Sequence, residues 1–269
     1  MDTSNVIPAF PGFLERGEPP AELEFAPSDW GFGGVHGGLL VGLLLARLEA
    51  LIPGRPLLSA RARLLAPVRG AGSFSVTPPH EGRTLTRASV ALMSDGRVAA
   101  TCDAAYRAPA SPIARPIEPV APEAPPPSAC PVFHIPPTFV PFSTNTEVRP
   151  IGERRPFSGA DEPELLAWIR LVNDDHAPDV LRLAILMDCL APSYGALLHA
   201  PAPIPTVEMT LRPTTRRATS CWVLVRARTH MASAEGWIEE HLDLWDERGN
   251  YLGSGEQLRH LRLGREVAR

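Results

Sequence analysis

The stretch "GFGGVHGGLLVGLLLARLEAL", from Gly31 to Leu51, decides how this chain folds. After Gly37 nearly every residue is Leu, Val, Ala or Gly, and Arg47 and Glu49 are the only charges. A helix that is apolar almost all round is a buried helix, and the Pro-Gly dipeptide that follows ends it. The stretch therefore predicts a buried helix over Gly37–Leu51, opened by a glycine-rich turn that contains one histidine.

Strand-like runs lie on either side of this helix. A short first strand fits within Glu22–Trp30, and Leu57–Pro67 alternates between polar and apolar residues, which is typical of a strand with one buried face. Further runs are joined at Ser94–Gly96, a sequence that favours a tight hairpin turn. Residues 22–108 therefore predict a strand, a buried helix and several antiparallel strands.

The same order recurs beyond a proline-rich segment. Residues 109–141 contain so many prolines that neither a helix nor an internal strand is possible, which predicts an extended linker. An apolar helix over Ala177–His199 and further strands, with a turn at Glu247–Asn250, follow it. We predict an internal duplication, with residues 1–108 and 142–269 as the two halves.

The composition excludes several classes of protein. The net charge of −4 and the pI near 6.1 argue against a nucleic-acid binder, which usually presents a basic face. The four cysteines lack CxxC spacing, Met1–Val6 does not resemble a secretory signal, and the longest apolar run, Leu39–Leu45, is too short to span a membrane. We therefore expect a cytoplasmic protein with reduced thiols and no membrane partner.

Motifs for metals, nucleotides and serine nucleophiles are missing. The histidines show neither HxxxH nor HxH spacing, and the chain contains no GxxxxGK[ST] loop and no GxSxG elbow. We expect no metal site and no cofactor.

The order of elements and four short motifs carry a family resemblance. A buried helix wrapped by antiparallel strands, found twice in one chain, resembles the double-hotdog fold, and "GGVHGGLLVGLLLA" resembles the glycine turn of hotdog thioesterases. The motifs "LMDCL", "PTVEMTLRP" and "GNYLGSGEQLRHLR" resemble the second half of the acyl-CoA thioesterase II family. The resemblance covers residues 22–108 and 143–263. It implies an α+β double hotdog: two antiparallel sheets, each wrapped around a long buried helix and joined by the Pro-rich linker.

The resemblance also implies a set of catalytic residues. The family carries an Asp–Thr–Gln site that orients a water for attack on a thioester, and by position these residues are Asp188, Thr206 and Gln257. The chain departs from the family after the threonine, where the Glu-Met-Thr sequence that ends at Thr210 replaces the common Asp-His-Ser. Thr210 therefore stays open as the alternative site hydroxyl.

The glycine turn could supply a second part of the site. A helix N-terminus has free backbone N–H groups and the positive end of the helix dipole. We expect the amide of Gly37 or Gly38 to point at a thioester oxygen with no Cβ in the way. We expect His36 to shape the turn or to contact the acyl thioester, with direct base chemistry as an alternative.

The two halves differ in which part of the site they keep. In the single-hotdog dimers that this chain resembles, an acid often stands about nine residues after the turn histidine. Here that position after His36 is Leu45, and nine residues before Asp188 stands Asp179 rather than a glycine turn. The first half keeps the turn and the second keeps the acid, so we predict one composite site in which Asp188 faces the glycine turn.

These residues favour hydrolysis of acyl-CoA thioesters to free acid and CoA. Two alternatives stay open: a non-catalytic acyl-thioester binding protein, and a hotdog hydratase or dehydratase acting on enoyl thioesters. We expect a homodimer or a higher homo-oligomer, because hotdog sheets usually pair.

Overall fold

The structure, a computed structural model, describes residues 21–108 and 113–262 together with Leu14 and Pro19. The start of the predicted linker, residues 109–112, lies outside the described residues. No helix in this part of the chain is long and apolar enough to cross a membrane.

Within the described residues the fold consists of two α-helices and eleven strands. The helices are α1 (Gly37–Leu51) and α2 (Val180–Met187). The strands are β1 (Glu22–Glu24), β2 (Leu57–Leu64), β3 (Ala71–Glu81), β4 (Leu85–Ser94), β5 (Arg97–Arg107), β6 (Thr146–Pro150), β7 (Glu164–Leu171), β8 (Thr206–Pro213), β9 (Val223–Ala232), β10 (Trp237–Trp245) and β11 (Tyr251–His260).

The strands form one continuous antiparallel sheet, in the order β1-β3-β4-β5-β2-β8-β11-β10-β9-β7-β6. The prediction of two separate sheets is therefore wrong. The halves meet where β2 pairs with β8, from Ala60 opposite Leu211 to Arg63 opposite Glu208. This pairing removes two unpaired strand edges from the centre of the molecule, and Arg61 Nη2 lies 2.7 Å from Glu208 Oε1 across the join.

The two helices pack against each other in one core that spans both halves. Helix α1 runs over the predicted residues, and its glycines allow the close approach. A Cβ on Gly38 would lie 2.8 Å from the Ile185 carbonyl oxygen, and one on Gly42 would lie 3.1 Å from the Ile185 Cγ1 atom. Since Gly42 also lies near the carbonyl of Leu181, the helices run antiparallel, and the start of α1 meets the end of α2.

The predicted second helix, Ala177–His199, is too long. Helix α2 begins after Asp179, whose carboxylate accepts a hydrogen bond from the Arg182 amide at 2.9 Å, and it ends at Met187 with Asp188 as its C-cap. Pro192 follows closely, and because proline lacks an amide hydrogen and restricts the residue before it, the helix does not resume. The chain passes instead into a 3₁₀ turn, Ser193–Leu197.

The proline-rich segment packs on the outer face of the second-half sheet. From residue 113 to residue 140 it contains no α-helix and no strand beyond an isolated bridge at Phe133, in keeping with its proline content. The indole nitrogens of Trp168 and Trp245 donate to the carbonyl oxygens of Pro125 and Pro119, at 2.8 and 3.1 Å. The segment thus covers two tryptophans as well as connecting the halves.

Candidate active site

Asp188 lies where the end of α2 meets the start of α1, and its carboxylate is the centre of a hydrogen-bond cluster. Its Oδ1 accepts the Thr206 hydroxyl at 3.1 Å and the Gln257 side-chain amide at 2.9 Å. Its Oδ2 accepts the backbone N–H of Gly38 at 2.8 Å. The structure therefore brings the predicted Asp, Thr and Gln together, with a glycine of the turn, and leaves the carboxylate about 8% exposed.

A β-bulge turns Thr206 into this cluster. On β11, Gln257 lies opposite Met209, but Arg259 lies opposite Thr206, so β8 holds one extra residue between these pairs. Because side chains alternate between the two faces of a strand, the extra residue reverses the face on which Thr206 lies. Without the bulge Thr206 would point away from Asp188.

Thr210, the alternative hydroxyl, bonds elsewhere. Its Oγ1 accepts the backbone N–H of Glu256 at 3.1 Å in an exposed position. The hydroxyl that contacts Asp188 is that of Thr206.

His36 is the N-cap of α1, and both of its ring nitrogens are engaged. Its Nδ1 accepts the Leu39 amide at 3.3 Å, and its Nε2 lies 3.1 Å from the Asp188 carbonyl oxygen, to which it donates in the matching tautomer. The ring stacks on Phe142 with centroids 4.2 Å apart. Burial lowers the pKa of His36 below 6.5, against the opposing charge of Asp188. The imidazole is therefore neutral near pH 7, and both of its ring nitrogens contact the backbone.

The two glycines are required by the approach of Asp188. A Cβ on Gly37 would lie 2.7 Å from Asp188 Oδ2, and a Cβ on Gly38 would lie 2.9 Å from Asp188 Cβ. The Gly38 amide is occupied by the carboxylate. Among the described residues nothing accepts the Gly37 amide, and Gly37 is partly exposed. Of the two predicted donors, Gly37 is thus the one that is open to a ligand, and Gly38 is not.

Sequence reasoning missed two charged residues behind the cluster, Arg259 and Glu240. Both are buried, at 5% and 2% exposure, and they form an ion pair. The available signal was spacing, because Arg259 stands two residues after Gln257 on one strand and so faces the same side. No group of three or more His, Cys, Asp or Glu side chains in the described ranges could hold a metal ion.

Comparison with known proteins places the chain among thioesterases. The family models described as acyl-CoA thioesterase N-terminal domain and C-terminal domain match residues 26–107 and 118–259. No curated protein matches the chain in sequence.

Several solved structures share the fold. A conserved protein with a hot dog fold from Alicyclobacillus acidocaldarius is 22% identical, with a TM-score of 0.79 over 90% of this chain and 93% of that one. Acyl-CoA thioesterase II TesB2 from Mycobacterium marinum is 17% identical, with a TM-score of 0.71 over 86% and 90%. At these identities the likeness establishes the hotdog fold. Because the two acyl-CoA thioesterase domain models together match most of this chain, it belongs to the acyl-CoA thioesterase family.

Proposed function

We propose that this protein hydrolyses acyl-CoA thioesters to free acid and CoA at the Asp188 cluster. The observation that carries the proposal is the convergence of Thr206, Gln257 and Gly38 on one carboxylate. The carboxylate comes from the second half of the chain and the helix N-terminus from the first. The membership of the family supports the reaction, and the geometry supports the residues.

Asp188 serves as general base in the proposed mechanism. A water held by Asp188 and Thr206 gives a proton to the carboxylate as its oxygen bonds to the thioester carbonyl carbon. The Thr206 hydroxyl donates to Asp188 and keeps lone pairs with which to accept from that water. Gln257 donates to the same carboxylate oxygen as Thr206, so that the base is oriented before the substrate arrives.

The start of α1 stabilises the intermediate. Attack converts the carbonyl oxygen to an oxyanion, and the Gly37 N–H, at the positive end of the helix dipole, is the donor available to it. The tetrahedral intermediate then collapses, and the bond between carbon and sulfur breaks. The CoA sulfur takes the proton that Asp188 received, so the acid and CoA leave with the base restored.

The two parts of the proposed site come from two halves of the chain. We propose hotdog halves over 1–108 and 142–269 with residues 109–141 between them, which the separate matches at 26–107 and 118–259 support. A homodimer or higher homo-oligomer is part of this proposal, and sedimentation of the purified protein measures it.

A panel of acyl-CoAs tests the reaction. Purified protein is mixed with saturated and enoyl acyl-CoAs in the presence of a thiol-reactive dye, and CoA release and enoyl absorbance are recorded together. Hydrolysis predicts release of one thiol for each acid formed. Saturable binding without release would indicate a binding protein, and loss of enoyl absorbance without release would indicate a hydratase.

A further inference from the structure

A buried ion pair lies directly behind the Asp188 cluster. On the neighbouring strands β10 and β11, Glu240 and Arg259 point into the core, with Arg259 Nε 2.9 Å from Glu240 Oε2. Their side chains are 1% and 6% exposed. Removing two charges from water costs free energy that their attraction offsets only when further hydrogen bonds are made. The contacts of the remaining atoms therefore indicate what the pair does.

A second guanidinium nitrogen of Arg259 contacts the Asp188 cluster. Its Nη2 donates to the Gln257 side-chain oxygen and lies 3.7 Å from Asp188 Oδ1. An amide whose oxygen accepts from arginine must turn its NH₂ the other way, and Gln257 Nε2 indeed donates to Asp188. Arg259 thus fixes which end of the Gln257 amide faces the carboxylate.

Glu240 holds the arginine in place from behind. Its Oε1 accepts the backbone N–H of Ser193 at 2.5 Å, and the Ser193 hydroxyl bonds to Thr229 Oγ1 at 2.8 Å. The pair is therefore tied to the 3₁₀ turn that follows α2, and a chain of contacts runs from that turn to Asp188.

We propose that Arg259 is a positioning residue for hydrolysis, with Glu240 as its support. It orients the Gln257 amide that donates to Asp188. The inference rests on the proposed hydrolysis.

The test separates kcat from KM. Arg259→Met alone would leave Glu240 buried without its partner, so the main variant is Arg259→Met/Glu240→Gln, in which the glutamine still accepts from Ser193. We expect kcat to fall about tenfold to hundredfold because the amide is no longer held. Because Arg259 lies buried behind Gln257, we expect KM to change much less than kcat.

Two further variants serve as comparisons. Arg259→Lys keeps the charge but lacks the planar fork, so its kcat should also fall while its KM stays near that of wild type. Arg226→Met removes an arginine paired with Asp243 at 3.0 Å on the opposite face of the sheet, and it should change neither quantity.

A folded double variant with wild-type kcat, or with a KM that rises as much as its kcat falls, would overturn the inference. Thermal unfolding establishes that the variants are folded. If wild-type protein itself releases no CoA, the proposed hydrolysis fails instead, so the two failures are distinguishable.

Discussion

The N-termini of the two helices each have a side-chain cap, His36 for α1 and Asp179 for α2, but they differ in what else meets them. At the start of α2, Asp179 accepts the Arg182 amide, and the Arg182 side chain pairs with Asp179 and Asp174, both at 2.6 Å. At the start of α1, the Gly38 amide is met by Asp188, a carboxylate from the other half of the chain. A helix end closed by its own neighbours stabilises the fold, whereas an end open at Gly37 and faced by a distant carboxylate can hold a substrate.

The residue that faces each helix start also differs between the two helices. The start of α1 faces Asp188, but the corresponding position on α1, Leu45, is apolar and fully buried. The start of α1 thus has a glycine turn faced by an acid, whereas the start of α2 has no glycine turn and the position that corresponds to Asp188 is a leucine. The comparison predicts that only the start of α1 supports chemistry.

The largest expected effect comes from replacing the aspartate that faces the start of α1, with the aspartate at the start of α2 replaced as a control. Asp188→Asn removes the base, so we expect thioester hydrolysis to fall by about 10³-fold or more. Asp179→Asn is its matched control, because asparagine caps a helix about as well as aspartate, and hydrolysis should be unchanged. Thiol release from an acyl-CoA measures both, and wild-type activity in Asp188→Asn would remove the distinction between the ends.

Arg182→Met tests whether the start of α2 contributes to stability and not to hydrolysis. It leaves the buried carboxylate of Asp174 with only its His176 contacts, which costs about 3 kcal/mol of unfolding free energy, while kcat per folded molecule stays constant. Urea denaturation measures the first quantity. A stable variant with low kcat would contradict the account, because it would indicate that the start of α2 takes part in hydrolysis.

The same pair predicts a pH dependence of stability. Burial alone would raise the pKa of Asp174, but hydrogen bonds from Arg182 and His176 outweigh it and hold this pKa below 3.8. A lowered carboxyl pKa contributes stability above the unfolded-state value, and that stability is lost as pH falls below about 3.8. The stability difference between wild type and Arg182→Met should therefore narrow as the pH falls below about 3.8, which urea denaturation at several pH values measures.

Gly38→Ala should distort the start of α1 and lower the rate of hydrolysis, but less than Asp188→Asn does. The new Cβ would meet the Ile185 carbonyl at 2.8 Å and Asp188 Cβ at 2.9 Å, so α2 must shift. We expect a loss of about 1–3 kcal/mol in stability and about 10²-fold in kcat/KM through misplacement of the base. Gly70→Ala, whose Cβ has nothing within 4 Å, should leave both unchanged. Equal behaviour of the two alanine variants would contradict the role given to the turn.

The smallest expected effect belongs to His36→Asn. Asparagine can still cap α1, so kcat should change only a few-fold. Because burial lowers the pKa of His36, the unfolded chain binds more protons than the native one below about pH 6.5, and wild-type stability decreases as pH falls. Thermal melts from pH 7 to pH 5 should be flatter in the variant. A large loss of kcat with an altered pH–rate profile would assign base chemistry to the histidine.

Local patterns predicted the local structure well. Helix α1 has the predicted ends, and the hairpin turn falls at Asp95 and Gly96, both with positive φ. The apolar run and the turn residues determine these features over short distances. The meeting of Asp188, Thr206 and Gln257 was predicted only by resemblance to a family.

Features that depend on distant contacts were not predictable. The join of β2 to β8 depends on two strands far apart in sequence, and no periodicity indicates the bulge that turns Thr206 inward. The end of α2 depends on Asp188 and Pro192, within a run that is mostly apolar. The pairing of Arg259 with Glu240 requires strand order and register together.

The most direct test of a single composite site is a count of ligands. Titration of the purified protein with a thioether analogue of an acyl-CoA, which binds but is not hydrolysed, gives the number of sites per chain by calorimetry. The account predicts one analogue bound per chain, with binding weakened in Gly38→Ala and unchanged in Asp179→Asn. Two equivalent sites per chain, or binding lost in Asp179→Asn, would contradict it.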